Sequence, residues 1–372
     1  MSNQVTFVTP SLNPLGNAGQ LPLWCETLQE SGWGVTVFSL RDPVGSNYAP
    51  RYPGVELHCL ALKPREWSRW GELKALVTER PVDVLHFWDC PAQICWWLGR
   101  RAGLRARTSF DRRLNHRLEL LSRTGGSRHF PQVDLVFDPQ LAAEAEVNPT
   151  WSSDSVSTAL SAVLAPKAIP RTLERRELTR ARLREELALP PDVKLVVAAA
   201  EFKPETHCKD LVWGIDQLKI IRDDIHLLLL GSGRQRNQLE RFLSLTEAES
   251  RTHFLGDRPD GPEIVAAADI FWQADLTNYL PEGLLLALAA GVPVVSAYGP
   301  NTSSVVLPQQ TAWVADTSAR YQYARWSKFF LEEPQRAAQL AAQAIEQTVG
   351  RFSPGPVKTW IREVYSRFGR QI

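Results

Sequence analysis

The sequence is poor in several features at once, and each shortage closes off a class of protein. Its five Cys, at 25, 59, 90, 95 and 208, are odd in number and irregular in spacing, with no C-x-x-C. Zinc ribbons and thioredoxin-type redox motifs are therefore unsupported, and free buried thiols in a reducing compartment are expected. No apolar run reaches the roughly 18 residues of a spanning helix. The first residues, Met-Ser-Asn-Gln, lead straight into a strand-like run at 5–9 with no basic n-region. No signal peptide is expected, and the reading is cytoplasmic. An excess of one charge is missing too: 42 Lys and Arg face 41 Asp and Glu, for a net charge of +1. Nothing draws the whole chain to nucleic acid or to a membrane, and only a local patch could do so.

Several catalytic signatures are also missing. There is no G-x-x-x-x-G-K-[ST], no G-x-S-x-G and no H-E-x-x-H, which removes P-loop, nucleophile-elbow and zincin chemistry. Asp-x-Asp is absent, and the seven His are scattered without metal-ligand spacing. No metal and no cofactor are expected. The Gly231-Ser232-Gly233 turn has Arg236 where a dinucleotide fingerprint wants its third Gly, so a tight strand-to-helix turn is the better reading.

What the chain does have is size and rhythm. Its 372 residues, 44% of them apolar, imply two to three domains with real cores. Strand-like runs at 5–9, 35–40, 55–60, 82–87 and 134–137 alternate with helical spacing at 20–31 and 66–79. After a Ser/Thr- and Pro-containing stretch at 147–170 comes a basic helix at 173–187, and the rhythm restarts. Strands are predicted at 193–198, 226–230, 252–255 and 270–273, with a further strand start at 293–295. Helices are predicted at 211–221, 234–244, 284–290 and 357–368. This is the β-α-β pattern of parallel sheets, an α/β fold, given twice.

The order of motifs in the second half carries a resemblance. It runs 193–200, Lys203 and Lys209, 225–233 with its Gly pair, Phe254-Leu255-Gly256, Ala267-Ala268-Asp269-Ile270-Phe271, 280–290, Gly291-Val292-Pro293-Val294-Val295, and Phe352-Ser353 through Val364-Tyr365. At those distances it resembles the retaining GT-B glycosyltransferases of family 4, or group 1. The resemblance implies two Rossmann-like domains facing a cleft: residues 1–165 on the acceptor side, 170–350 for the nucleotide-sugar, and 351–372 as a helix crossing back to the first domain. It implies a polysaccharide-building transferase moving a sugar from a nucleotide-diphosphate donor to a glycan or lipid-linked acceptor. In the first half, Gly16-Asn17-Ala18-Gly19 and the strand ending in His86 match more loosely.

By that resemblance, Lys203 and Lys209 clamp the donor diphosphate, which needs cations and backbone N–H groups. Gly16 and Gly19 would let a loop approach the phosphates, and His86 would lie on the acceptor side. The sequence also departs from the family. Where two Glu are usual, it has Asn278 and Leu286. Asn278 still hydrogen-bonds a sugar hydroxyl, whereas Leu286 holds no ribose. Glu282, four residues after Asn278, would supply a carboxylate if the loop is shifted. Phe110 fills the place of a His in Thr108-Ser109-Phe110-Asp111, which leaves Asp111 as the substitute catalytic group. Finally, nine Arg lie between residues 100 and 130. Arg112, Arg113 and Arg117 among them are candidates for an anionic acceptor or membrane surface, with a solvated basic face as the alternative. The alternative to an active enzyme is a GT-B protein that binds sugar or nucleotide without turning it over, or that partners an active transferase.

Overall fold

The computed structural model of the protein describes residues 3–16, 18–62, 71, 73, 75, 77, 79, 82–88, 90, 107–111, 133–137, 173–276, 281–299, 302–303, 305–316, 319–351 and 354–366. The chain divides into two compact units. The first comprises Met1–Leu12, Asn17–Leu160 and Pro354–Ile372, and the second Asn13–Gly16 and Ser161–Ser353.

In the first unit, β1 (Gln4–Thr9), β2 (Gly34–Ser39), β3 (Glu56–Cys59), β4 (Val84–Phe87), β5 (Arg107–Asp111) and β6 (Val133–Phe137) form one sheet. Their order is β3-β2-β1-β4-β5-β6, and every pair is parallel. β5 was not expected as a strand. Its residues, Arg-Thr-Ser-Phe-Asp, show no apolar alternation, and its pairing with β4 and β6 makes it one. Of the expected helix at 66–79, residues 71, 73, 75 and 77 are helical, and most of the rest lie outside the described residues.

The core of this unit is aromatic. Helix α1 (Leu21–Glu30) buries Leu21, Leu23, Trp24, Cys25, Thr27 and Leu28 against the sheet. The Trp24 ring makes edge contacts with Phe7, His86 and Trp88. The last helix of the chain also belongs to this unit. Tyr365 stacks over His86 and meets Trp24 and Trp33 edge-on. On the surface, Lys358 and Arg362 of that helix each reach Glu30 at 2.8 Å.

The second unit repeats the topology. β7 (Lys194–Ala199), β8 (Ile225–Leu230), β9 (Thr252–Gly256), β10 (Ile270–Gln273), β11 (Val294–Ala297) and β12 (Trp313–Ala315) lie in the order β12-β11-β10-β7-β8-β9. All pairs are parallel here too. β8 reads Ile-His-Leu-Leu-Leu-Leu and is buried throughout, as a strand covered on both faces must be.

The helices of this unit are α2 (Leu173–Glu186), α3 (Cys208–Ile221), α4 (Arg236–Thr246), α5 (Gly261–Ala266), α6 (Glu282–Ala290), α7 (Tyr321–Glu332) and α8 (Pro334–Arg351); α9 (Pro354–Ser366) is the helix of the first unit just described. The sequence pattern had not marked α5, α7, α8 or β12. Helix α6 is buried from Gly283 to Ala290, since it is apolar all round. It ends at Gly291, whose φ of +68° is the left-handed cap, and Val292 N–H closes the turn onto Ala287 O at 2.9 Å.

The charged α2 buries only Leu183 among its side chains and is held by its arginines. Arg176 donates to Ala290 O, Arg180 to Ala267 O at 2.6 Å and Ala268 O at 3.3 Å. The carbonyls left over at the ends of α5 and α6 thus find guanidinium donors.

Candidate functional site

In a sheet of this order, ligands bind beyond the carboxyl ends of the strands, where the chain direction of the order reverses. In the second unit that switch point lies between β7 and β10. The connections leaving β7, β8, β9, β10 and β11 there define the candidate site.

The connection from β7 to α3 is wound around one hydroxyl. Buried Thr206 donates to Glu201 O at 2.6 Å and to Lys203 O at 2.9 Å. His207 follows in the left-handed region at φ +51° and starts α3. The first turn of α3 therefore opens at the carboxyl end of the sheet, with Asp210 N–H bonded to His207 O at 2.8 Å; a helix N-terminus so placed suits an anion. Lys209 sits in that turn, exposed, with no ion pair among the described residues. Lys203 is half-buried, and its ammonium is bonded to Glu201. Among the described residues Lys209 makes no ion pair, whereas Lys203 is paired with the exposed Glu201.

Across from this connection is the glycine turn after β8. Gly231 has φ +117°, and a Cβ there would run into the carbonyl oxygen of Ala200. Phe202 N–H bonds Ser232 O at 2.9 Å, and Gln235 N–H bonds Phe202 O at 3.0 Å. The glycines let the two loops lie backbone to backbone. This is the tight-turn role expected of Gly231-Ser232-Gly233. Ser232 Oγ also donates to Asp257 Oδ2 at 2.5 Å, and Asn13 Nδ2 donates to Asp257 Oδ1 at 2.6 Å. Gly16 bonds Asn13 O at 3.1 Å, in the segment grouped with this unit. Gly19 lies in the turn before α1, in the first unit.

Sequence reasoning did not single out Asp210. It is one residue past Lys209, keeps 4% of its exposure, and is bonded by Arg320 Nε at 2.6 Å. His207 Nδ1 lies 3.7 Å from its other oxygen. Burial pushes the Asp210 carboxyl up, while Arg320 and His207 oppose that shift. The neighbouring Cys208 thiol is pushed up to about 11 by burial, so it stays protonated and inert. An acidic residue following a candidate lysine is the signal that was there to read.

Glu282 begins α6, where an acid is favoured by the helix dipole. Leu286 faces the core with 1% exposure, so no polar group stands at that position. Asn278, Arg112, Arg113 and Arg117 lie outside the described residues. Asp111 ends β5, and Phe110 pairs with Phe87 there.

His86 corrects an expectation. It has no exposure, and its Nδ1 shares a 2.8 Å hydrogen bond with Tyr365 OH. Burial lowers its pKa to about 3, so it is neutral. A histidine enclosed by Phe7, Trp24, Trp88 and Tyr365 is core packing and presents nothing to an acceptor. Trp88, at 7% exposure, belongs to the same core. Among the described residues, Cys25, Cys59, Cys90 and Cys208 form no disulfide.

Comparison with known proteins bears on this unit first. Residues 179–347 match the family model "Glycosyl transferases group 1". The lipopolysaccharide core biosynthesis glycosyltransferase LpsE of Rhizobium meliloti (strain 1021) is 24% identical over 170 residues. That alignment covers 46% of this chain and 49% of LpsE, so the match spans about half the relative's length. Among solved structures, Anabaena HepE, determined with UDP and glucose, superposes with a TM-score of 0.67 at 16% identity, covering 98% of this chain and 100% of HepE. The sucrose-phosphate synthase of Thermosynechococcus elongatus superposes with a TM-score of 0.64 at 17% identity, covering 98% of each chain. The fold is GT-B, with two parallel α/β sheets. Among the described residues, no helix is long and apolar enough to cross a membrane.

Proposed function

We propose that the chain is a glycosyltransferase that moves a sugar from a nucleotide-diphosphate sugar to a glycan or lipid-linked acceptor. The observation that carries this reading is the first turn of α3 at the β7/β10 switch point, with Lys209 exposed on it and the Gly231-Ser232-Gly233 turn beside it. These lie inside the segment that matches the group 1 model. LpsE and HepE, by name and bound ligands, work with sugars and, in HepE, with UDP.

In this reading the reaction is metal-independent and retaining. Retention rests on the family resemblance. The leaving diphosphate gains charge as the glycosidic bond breaks, and fixed donors aimed at it stabilise that charge. Lys209 and the N–H groups of the α3 first turn are those donors, with Lys203 a secondary one because Glu201 holds it. Glu282 and Asn278 face the sugar, and Asp111 is the candidate catalytic carboxylate. The acceptor belongs to the first unit, where Arg112, Arg113 and Arg117 recognise an anionic glycan or lipid headgroup.

Calorimetry on the full chain with UDP-, GDP- and ADP-sugars tests the reading. One of them should bind at submillimolar concentration, and Lys209→Ala should weaken it by about 10- to 100-fold, the worth of one charge-assisted hydrogen bond. Absence of binding by all three up to about millimolar would remove it.

Two observations favour a second reading. Leu286 is buried with no polar group in its place, and Lys203 is paired with Glu201. A chain that binds nucleotide or sugar without turnover, or that partners an active transferase, would show binding in the same calorimetry but no donor hydrolysis or transfer.

A further inference from the structure

The first turn of α3 presents two opposite charges one residue apart. Lys209 points to solvent, while Asp210 is buried. An acid in a first helical turn is ordinarily solvated, and its charge is spent on the helix dipole. Asp210 has almost no water, so its negative charge reaches further through the protein. It stands at the same helix end that the proposed function assigns to a diphosphate.

The compensating cation comes from elsewhere. Arg320 is the N-cap of α7. A cation there opposes the dipole of its own helix, so local helix chemistry does not account for it. Its Nε lies 2.6 Å from Asp210 Oδ1. His207 faces the other carboxylate oxygen of Asp210 at 3.7 Å and opposes the same shift as Arg320. Tyr323 and Cys208 remain protonated because burial raises both.

We propose that Arg320 is a positioning residue for anion binding: by neutralising Asp210 it keeps the α3 N-terminus and Lys209 attractive to a diphosphate. The proposal deepens the donor-binding reading and rests on it for the identity of the anion. It makes an asymmetric demand. Removing the cation should harm anion binding, while removing the carboxylate's charge should not.

Titrating the full chain with UDP, GDP, ADP and inorganic pyrophosphate tests this in a double-mutant cycle. Arg320→Ala should weaken the anion that the wild type binds by about tenfold, the order of one uncompensated charge a few ångströms from the ligand. Asp210→Asn should bind as tightly as wild type or tighter. The double variant should return to the Asp210→Asn value. Arg320→Lys keeps the charge and should stay within about threefold of wild type, which separates a charge effect from loss of fold. The Arg320→Ala defect should shrink as NaCl is raised.

Equal weakening by Arg320→Ala and Asp210→Asn, with the double variant no worse than either, would mean a merely structural pair and would overturn the proposal. So would wild-type affinity in Arg320→Ala. Binding of pyrophosphate with the predicted asymmetry, but of no nucleotide, would leave the pair standing and remove the donor reading. Nucleotide binding indifferent to all variants would do the reverse. No binding of any of the four anions would overturn both.

Discussion

The two units share one strand order and are filled differently. The first packs rings: Phe7, Trp24, His86, Trp88 and Tyr365 touch one another over its sheet. The second packs aliphatic strands such as Ile-His-Leu-Leu-Leu-Leu against α3, α4 and α7. The first is closed by α9, which comes from the far end of the chain, and the second by α7 and α8, which follow its own sheet. One topology therefore tolerates both a core centred on a cluster of rings and a core in which rings such as Phe202, Trp272 and Tyr323 sit among branched aliphatics. What the second unit keeps is a set of close backbone turns beyond β7, β8 and β9. They depend on glycine and on buried hydroxyls and not on which apolar residues fill the core.

The largest break of this contrast should come from Trp24→Ala. It removes a fully buried ring touching Phe7, His86, Trp88 and Tyr365. We expect a loss of about 3–5 kcal/mol. Hydrogen exchange should accelerate at the amides of β1 and β4 but not of β7 and β8.

Acid should come next. His86 is neutral when folded, with a pKa of about 3 against an ordinary value near 6.5. Between those values the unfolded chain binds a proton that the folded chain does not. Stability is therefore full above about pH 6.5 and falls as pH drops toward 3, by about 1.4 kcal/mol per pH unit. His226, lowered to about 4, gives the second unit its own slope. Exchange rates read at β1 and β4 should lose their slope in His86→Phe, while those at β7 and β8 keep theirs.

A smaller break lies in the second unit. Gly231→Ala puts a Cβ against Ala200 O at φ +117°, and we expect about 1–3 kcal/mol from the forced shift. Exchange should rise at Phe202 and Gln235, whose amides join the two loops. Nucleotide binding should weaken with it, in contrast to Trp24→Ala, which should leave the second unit's binding intact.

The smallest effect belongs to Glu30→Gln. Lys358 and Arg362 hold that carboxyl below its ordinary range, so its contribution is present at neutral pH and fades as pH falls through the depressed value. The site is exposed, and the expected loss is under about 1 kcal/mol, smaller still at high salt. A denaturant titration at two salt concentrations should show the difference closing.

How much of this could be read in advance differs by feature. Strands such as 225–230 and 270–273 were legible because a run buried on both faces is uninterrupted apolar sequence. β5 was not, because Arg-Thr-Ser-Phe-Asp owes its strand to its neighbours. Helices α7 and α8 were not marked, although their apolar residues recur at helical spacing. Lys209 was legible as a cation after a strand. That Lys203 is already bonded to Glu201 was not. His86 looked like a site residue from its place at a strand end. Its partner Tyr365 lies 279 positions away, a distance no local pattern spans.

By itself, the sequence determined the alternation of buried strands and amphipathic helices, the glycine turns, and the absence of motifs for other chemistries. These follow from short-range periodicity and backbone freedom. Only the tertiary structure decided which charges are free and which are paired. Lys209 faces solvent, Asp210 is joined to Arg320, and His86 is sealed among rings, because pairing and burial depend on residues that meet only once the sheets have formed.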